Sequence, residues 1–528
     1  MALMNHLIHD SLFETAARAP AAEALAYGDR RCSYAQLADD VRAVAALLLD
    51  ARLEAGARVA VYMEKRIENV AAMFGAAAAG CVFVPVNPLL KPEQVAYILA
   101  DCNVRLLATT AERLAQLAPV LERCPDLRAV LLADGDAATA SAALPVLAWP
   151  AQKTTDPAPH RRIDTDVAAI LYTSGSTGQP KGVVLSHRNM VAGAQSVASY
   201  LDLRSDDRLL AVLPLSFDYG LSQLTTAFLR GACVVLMNYL FPKDIVTMVA
   251  RERITGLAAV PPLWIQLAQL DWSEGGTLRY LTNSGGAMPV TTVAALRAKL
   301  PDAQLFLMYG LTEAFRSTYL PPAELDRRPG SMGRAIPNAQ VMVVRPDGTP
   351  CAPNEPGELV HRGALVSLGY WNDPAKTAER FKPAPGQDPA LPITEMAVWS
   401  GDTVRRDADG YLYYIGRADD LMKVSGYRVS PTELEEAVYE LGSVDEAVAF
   451  GVPHPELGQA IVLLAVAAGP SAPDAESLRR ACQRRLPAYM VPARVEVRAE
   501  PFPRNPNGKI DRKTLSLPFQ TLFEGSPP

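Results

Sequence analysis

The sequence predicts an α/β protein in two parts: a large N-terminal region of layered strands and helices, and a small α+β module at its C-terminal end. Apolar segments of strand length alternate with helical patterns through the long first part, the mark of α/β layering. The 528 residues are enough for roughly three or four average domains. Beyond Asp419 about 110 residues remain, which suits one small domain. Residues 1–418 therefore read as one large domain and 419–528 as a second.

In chain order, Leu7, Ile8, Leu12, Phe13 and Ala16 recur at helical spacing and predict an amphipathic N-terminal helix. Asp10 and Glu14 stand where a signal peptide would be basic or apolar. The long apolar run from Val70 to Val86 holds Gly75, Gly80 and Pro85, so it predicts a buried helix turning into a buried strand and no membrane span. Ala133 to Asp166 reads as a connection, as does Lys382 to Pro392 with its four prolines. Between them, Leu209–Leu215, Val234–Met237, Leu257–Val260, Tyr280–Thr282 and Leu305–Tyr309 read as strands, interleaved with helix-like stretches such as Val290–Leu300. The tail predicts strand, helix (Pro431–Leu441), two strands, helix (Asp474–Leu486) and strand.

Composition excludes several classes. Hydrophobic residues at 49% and charged residues at 20% disfavour disordered and fibrous architectures. A net charge of −6 without a long Lys/Arg run argues against nucleic-acid binding, which needs a basic face that releases counterions. The seven cysteines are scattered, with neither a C-x-x-C pair nor a nearby histidine cluster, which fits a reduced cytoplasmic setting without zinc.

Chemistry first shows at Tyr172-Thr-Ser-Gly-Ser-Thr-Gly-Gln-Pro-Lys-Gly182, between the apolar stretches Val167–Leu171 and Val183–Leu185. Its glycines let backbone N–H groups turn inward, its hydroxyls add donors, and Lys181 adds a charge, so the loop suits a polyphosphate. A flexible polar turn has the same composition. The loop is not a Walker A motif, because Pro180 stands where the second glycine belongs and a strand follows instead of a helix.

With NSGGAMP at Asn283, YGLTE at Tyr309, GD at Gly401, GRADD at Gly416 and NPNGKI at Asn505, that loop completes an ordered set of motifs. The sequence resembles, over nearly its whole length, the adenylate-forming (AMP-binding) superfamily of acyl-CoA synthetases, peptide-synthetase adenylation domains and firefly-type luciferases, and is most similar to AMP-forming acyl-CoA ligases. The resemblance implies a large domain of α/β-layered subdomains plus a β-barrel-like subdomain, and a mobile C-terminal domain hinged near Asp419. It implies an acid–thiol ligase: carboxylate and ATP give an acyl adenylate and pyrophosphate, and the acyl group then passes to a pantetheine thiol.

The same resemblance assigns residues. Thr173, Ser174, Gly175, Ser176, Thr177, Gly178 and Lys181 would hold the β- and γ-phosphates. Two anions must meet in this reaction, so fixed donors and cations are needed to offset their repulsion. Thr312 would contact the α-phosphate and Glu313 would hold Mg²⁺. Gly285, Gly286 and Ala287 would meet the adenine edge, Tyr309 with Gly310 would cover the base, and Asp402 and Arg417 would take the ribose. Lys509 would reach in from the small domain to bridge the acid and the ATP. Asp419 matches the hinge, and Ser425 and Gly426 match the loop that lines the thiol tunnel after rotation. Luciferases carry lysine at the position of Ser425, which disfavours a light-emitting reaction.

Substrate choice rests on Leu213-Pro-Leu-Ser-Phe-Asp-Tyr-Gly-Leu221. By resemblance Phe217 is an aromatic gate, and Asp218, Tyr219 and Gly220 belong to the acyl pocket. In amino-acid-activating domains an Asp after this Phe pairs with the α-ammonium, so Asp218 admits a small amino acid or polar acid; an exposed or backbone-bonded Asp218 is the other reading. The acceptor is CoA or the phosphopantetheine of a carrier protein. A catalytically silent nucleotide-binding relative is the competing class, which intact Lys181, Glu313, Asp402 and Lys509 disfavour.

Overall fold

The structure, a computed structural model, describes residues 6–138, 144–152, 155–173, 180–417, 420, 422–424, 427–454, 457–468, 474–486, 488–505 and 509–523. Ser174, Gly175, Ser176, Thr177, Gly178, Asp419, Ser425 and Gly426 lie outside the described residues.

Two large sheets dominate. One has seven strands, running Val146–Ala148, Ala129–Leu132, Val104–Thr109, Arg58–Tyr62, Val82–Pro85 and Val167–Thr173 in parallel, then Lys181–Ser186 antiparallel. Pairs of this kind need crossovers, and helix Ile67–Ala79 supplies the one predicted within 70–86, ending in strand Val82–Pro85. The predicted N-terminal helix forms over Asp10–Arg18.

The second sheet holds fourteen strands among the described residues. Its centre is a parallel series: Glu23–Tyr27, Cys233–Leu236, Arg208–Ala211, Gly256–Ala259, Tyr280–Asn283 and Gln304–Tyr309. These runs are apolar almost throughout because helices cover both faces. After Gln304–Tyr309 the pairing turns antiparallel through Thr318–Leu320 and Ser331–Ala335 into Leu412–Arg417, Met396–Arg406, Gly357–Gly363 and Ala339–Val344, the portion expected to be barrel-like. The parallel strands end where this change of direction occurs, and ligand sites of open α/β sheets sit at such strand ends.

From Met422 onward the chain builds cores of its own. Strands Met422–Val424, Tyr427–Val429, Val444–His454, Gly458–Ala467 and Arg494–Arg498 form one sheet, with helices Pro431–Tyr439 and Ala475–Arg485 packed on it. The order predicted for the tail is present, except that its single first strand is a hairpin of two. A contact across the junction is the Ser430 hydroxyl donating to the Ile415 carbonyl. A cavity of about 620 Å³ lies between the lobes, walled by Phe241, Pro262 and Ile265 on one side and Tyr439, Pro501 and Ile510 on the other. No helix among the described residues is long and apolar enough to cross a membrane.

Candidate active site

Strand ends carry several of the predicted residues to one region of the fold. Strand Tyr280–Asn283 opens into the glycine turn, where Asn283 Nδ2 donates to the Gly286 carbonyl at 3.2 Å and Gly285 takes φ +85°, a conformation that favours glycine. Gly286 and Ala287 are exposed on the cleft rim. A β-carbon on Gly285 would stand 3.7 Å from Lys509 Cε and 3.8 Å from Phe217 Cζ. The side chains of Lys509 and Phe217 thus both approach the same bare stretch of backbone.

Lys509 is held by its own loop. The Asn505 N–H donates to the Lys509 carbonyl at 2.8 Å, the Lys509 N–H donates to Asn505 Oδ1 at 3.0 Å, and Arg504 pairs with Ile510 across the turn. Glu446 anchors this loop by accepting from the Phe502 N–H at 2.8 Å and from Arg504. Lys509 is exposed along its length, while desolvation of its ammonium holds the pKa below the ordinary lysine value, opposed by Asp218 and Asp402. Arg417 and Glu313 complete its electrostatic surroundings.

The predicted ribose residues form a closed set. Strands Met396–Arg406 and Leu412–Arg417 pair Asp402 directly with Arg417, and the side chains meet at 3.4 Å. The Tyr309 hydroxyl donates to Asp402 Oδ2, and His361 stacks on the Tyr309 ring at 6.0 Å. Burial raises the Asp402 pKa against the pull of Arg417 and Tyr309. Arg380 lies across Gly401, its Nη1 2.0 Å from where a β-carbon would stand, so a side chain at position 401 would have to displace the guanidinium and adopt the left-handed φ of +72°.

The phosphate and metal candidates converge on Tyr370, which sequence reasoning missed. Its hydroxyl donates to Glu313 Oε1 at 2.5 Å, and Lys181 Nζ lies 5.3 Å from its ring centroid. Tyr370 bridges to Val183 next to the glycine/hydroxyl loop, and the Ser367 N–H donates to the Glu313 carbonyl at 2.8 Å. Asn189, through its capping box with Ser186, also donates to the carbonyls of Ala364 and Val366 at 2.7 and 2.8 Å. Residues 364–371 therefore strap the exit of the loop to Glu313. Desolvation lowers the Lys181 pKa, with Lys376 and Arg380 acting in the same direction, so three cations share this end of the cleft. Thr312 is buried at the start of the short helix Thr312–Ala314 that carries Glu313.

Of the two readings of Asp218, the exposed or backbone-bonded one does not hold. Asp218 is neither exposed nor held by backbone alone: it is buried at the first turn of helix Asp218–Arg230 and pairs with Arg316 at 3.1 Å. Tyr219 is also buried, its hydroxyl 2.5 Å from Thr282 Oγ1. Gly220 is pressed against the Pro214 carbonyl, where a β-carbon would come within 2.0 Å, so it shapes the backbone under the pocket.

The site fits an adenine nucleotide and a divalent cation by its donor set: a carboxylate at the ribose end, cations and a carboxylate at the phosphate end, and a glycine wall that side chains would obstruct. Comparison with known proteins agrees. The AMP-binding enzyme family matches residues 12–371, and its C-terminal domain matches residues 433–509. The chain is 32% identical over 526 residues to an L-proline--[L-prolyl-carrier protein] ligase of Pseudomonas fluorescens, covering 97% of this chain and 99% of the relative. It is 31% identical to a long-chain-fatty-acid--CoA ligase of Salmonella typhimurium, over 92% of this chain and 89% of that one. A linear gramicidin synthase of Brevibacillus parabrevis is 31% identical over 97% of this chain, which spans only 10% of that relative's length. Among solved structures, ATP-bound MatB from Rhodopseudomonas palustris superposes with a TM-score of 0.86 at 26% identity, covering 99% of this chain and 100% of that one; apo MatB gives 0.76 at 25% identity with the same coverage. The chain belongs to the AMP-binding enzyme family.

Proposed function

We propose that this protein is an AMP-forming acid–thiol ligase whose Lys509 serves the adenylation step. The observation that supports this reading is that Lys509 of the small domain and Phe217 of the large one both lie within 4 Å of where a β-carbon on Gly285 would stand. A carboxylate oxygen attacks the α-phosphorus of ATP, the bond to the β-phosphate oxygen breaks, and acyl adenylate and pyrophosphate form. Lys509 lies among Asp218, Asp402 and Glu313, so its charge can serve the acid and the nucleotide together. It opposes the repulsion between the two anions and stabilises charge on the phosphoryl oxygens. Lys181 and Arg380, with Thr312 and the loop from Thr173 to Gly178, bind the phosphates. Gly285, Gly286, Ala287, Tyr309 and Gly310 frame the base, and Asp402 with Arg417 holds the ribose. Glu313 would hold Mg²⁺, which would supply charge neutralisation for the triphosphate. The higher similarity to ATP-bound MatB than to apo MatB supports an adenylation-competent arrangement of the lobes.

In the second step a thiolate attacks the acyl carbon, the bond to the phosphate breaks, and a thioester and AMP form. Rotation about Asp419 would withdraw Lys509 and bring Ser425 and Gly426 to the cleft. The thiol belongs to CoA. A carrier-protein pantetheine is the second reading, favoured by the similarity to the carrier-protein ligase along its full length. Acid-dependent exchange of pyrophosphate into ATP, followed by AMP release on adding CoA or a pantetheinylated carrier, tests the scheme. Release of ADP and phosphate in place of AMP and pyrophosphate would overturn it.

A further inference from the structure

A glycine inside a helix is unfavourable relative to alanine, so a buried one calls for a packing reason. Gly193 lies within helix His187–Tyr200, and the reason is Phe315: a β-carbon at position 193 would stand 2.5 Å from Phe315 Cδ1 and 2.9 Å from its Cε1. The ring is fully buried, so it cannot swing into solvent to make room. Its backbone is held as well. Phe315 takes φ +53°, a strained value for a side chain of that size, and such strain persists where the surrounding structure enforces it. Its N–H donates to the Thr312 carbonyl at 3.4 Å, and its carbonyl accepts from Arg316 Nη1 at 3.0 Å. Arg316 is in turn fixed on helix Asp218–Arg230, where it pairs with Asp218 and its Nη2 donates to Ser222 Oγ at 2.7 Å. Two helices therefore grip the turn that carries Thr312 and Glu313, one through Phe315 and one through Arg316.

Helix His187–Tyr200 also reaches Glu313 from its other side. It starts at the Ser186 cap, which ends the strand that Lys181 begins. One turn before Gly193, on the same face, Asn189 holds the carbonyls of Ala364 and Val366, and a β-carbon at position 193 would lie 3.7 Å from Leu365 Cδ2. Through these residues the helix holds the segment whose Ser367 N–H donates to the Glu313 carbonyl. A single helix face thus sets where Glu313 stands relative to Lys181.

We infer that Phe315, seated against the bare backbone of Gly193, is a positioning residue for Thr312 and Glu313, so that crowding the seat or emptying it shifts their turn and loosens the hold on the metal–nucleotide complex. The inference rests on the proposed function, in which Glu313 would hold Mg²⁺, and adds to it residues that touch neither nucleotide nor acid. Crowding is the sharper perturbation, because alanine at position 193 suits the helix better than glycine while its methyl group meets the ring.

The test is pyrophosphate exchange by the full-length protein against Mg²⁺ at fixed ATP and acid, with calorimetric ATP binding in Mg²⁺ and in EDTA, for Gly193→Ala, Phe315→Leu and the two together. Each single variant should raise the Mg²⁺ concentration for half-maximal exchange by about tenfold, the usual reach of a group that orients a metal-binding carboxylate. ATP affinity should fall more in Mg²⁺ than in EDTA, and KM for the acid should change less than the Mg²⁺ requirement. In the double variant the added methyl group takes space that the smaller side chain gives up, so the Mg²⁺ requirement should return most of the way to the wild-type value, the non-additivity of residues in contact. Phe315→Leu empties the seat without crowding it and carries the test if Gly193→Ala does not fold. Single variants with a wild-type Mg²⁺ requirement overturn the inference, whatever happens to their urea midpoints, as does a double variant in which the two effects simply add. Wild-type ATP binding that is equally tight in Mg²⁺ and in EDTA would instead overturn the metal reading of Glu313 itself.

Discussion

Removing the Tyr370 hydroxyl should weaken the affinity for Mg²⁺ and leave the acid site untouched. Tyr370 is 7% exposed, and its hydroxyl donates to Glu313 Oε1 at 2.5 Å, while its ring faces Lys181. A hydrogen bond to a charged acceptor is worth ~1.5–3 kcal/mol, and groups that orient a metal-binding carboxylate typically govern ~10–100-fold of metal affinity. Glu313 is only half-buried, so the lower end applies: Tyr370→Phe should raise the Mg²⁺ concentration for half-maximal exchange about tenfold. Phenylalanine keeps the ring under Lys181, which separates the hydroxyl from the cation–π contact; Tyr370→Leu removes both. The assay is pyrophosphate exchange against Mg²⁺ at fixed ATP and acid, with calorimetric ATP binding in Mg²⁺ and in EDTA. Affinity in EDTA and KM for the acid should match the wild type for Tyr370→Phe. An unmoved Mg²⁺ dependence, or an equal rise in KM for the acid, would refute the positioning role.

The remaining predictions concern the loop that carries Lys509 and the buried histidines. Glu446→Gln loosens the Phe502 and Arg504 anchors and should slow adenylation about tenfold, one charge-assisted hydrogen bond's worth, while thiolation of a supplied acyl adenylate keeps its rate; equal slowing of both steps would point to general unfolding of the small domain. The Ile8 N–H donates to His187 Nδ1 at 3.2 Å, and burial, followed by the nearby His9, holds His187 down to about 4. His361 is held at about 3 by burial. For both groups the unfolded value lies higher, so the unfolded chain binds more protons and stability should fall as pH drops from 6.5 toward 4. The His187 contribution alone amounts to about 3 kcal/mol by pH 4. Urea midpoints that decline from pH 7 to pH 5, less steeply in His187→Gln, would agree; a flat profile over that interval would not.

The parallel sheets were legible because their strands are buried on both faces and read as unbroken apolar runs, as in Val234–Leu236 and Leu305–Tyr309. The site motifs were legible because glycines, hydroxyls and the residues they serve stand within a few positions of one another, as in Asn283–Gly286 and Tyr309–Glu313. Arg316, Tyr370 and Glu446 escaped for the opposite reason. Arg316 acts on Asp218 from 98 positions away, Tyr370 on Glu313 from 57, and Glu446 on Arg504 from 58. No local pattern encodes such pairs, since each is made by strands and turns meeting in space. The nearest signal for Tyr370 was its place in the turn Leu368-Gly-Tyr-Trp-Asn-Asp-Pro374, where an aromatic pair between turn-forming residues needs something to cover. For Asp218 the signal was the burial of its helix, whose apolar face runs through Leu221, Leu224 and Phe228 and turns the first residue inward.

In the proposed mechanism, adenylation depends on a lysine of the small domain entering a cleft formed by the large one. Lys509→Ala, assayed separately in the two half-reactions, tests this most directly. Acid-dependent pyrophosphate exchange should fall ~100-fold or more, the cost of losing a preorganised charge at the reacting phosphate, while transfer of a chemically supplied acyl adenylate to thiol stays near the wild-type rate. Pyrophosphate exchange close to the wild-type rate in this variant would contradict the account.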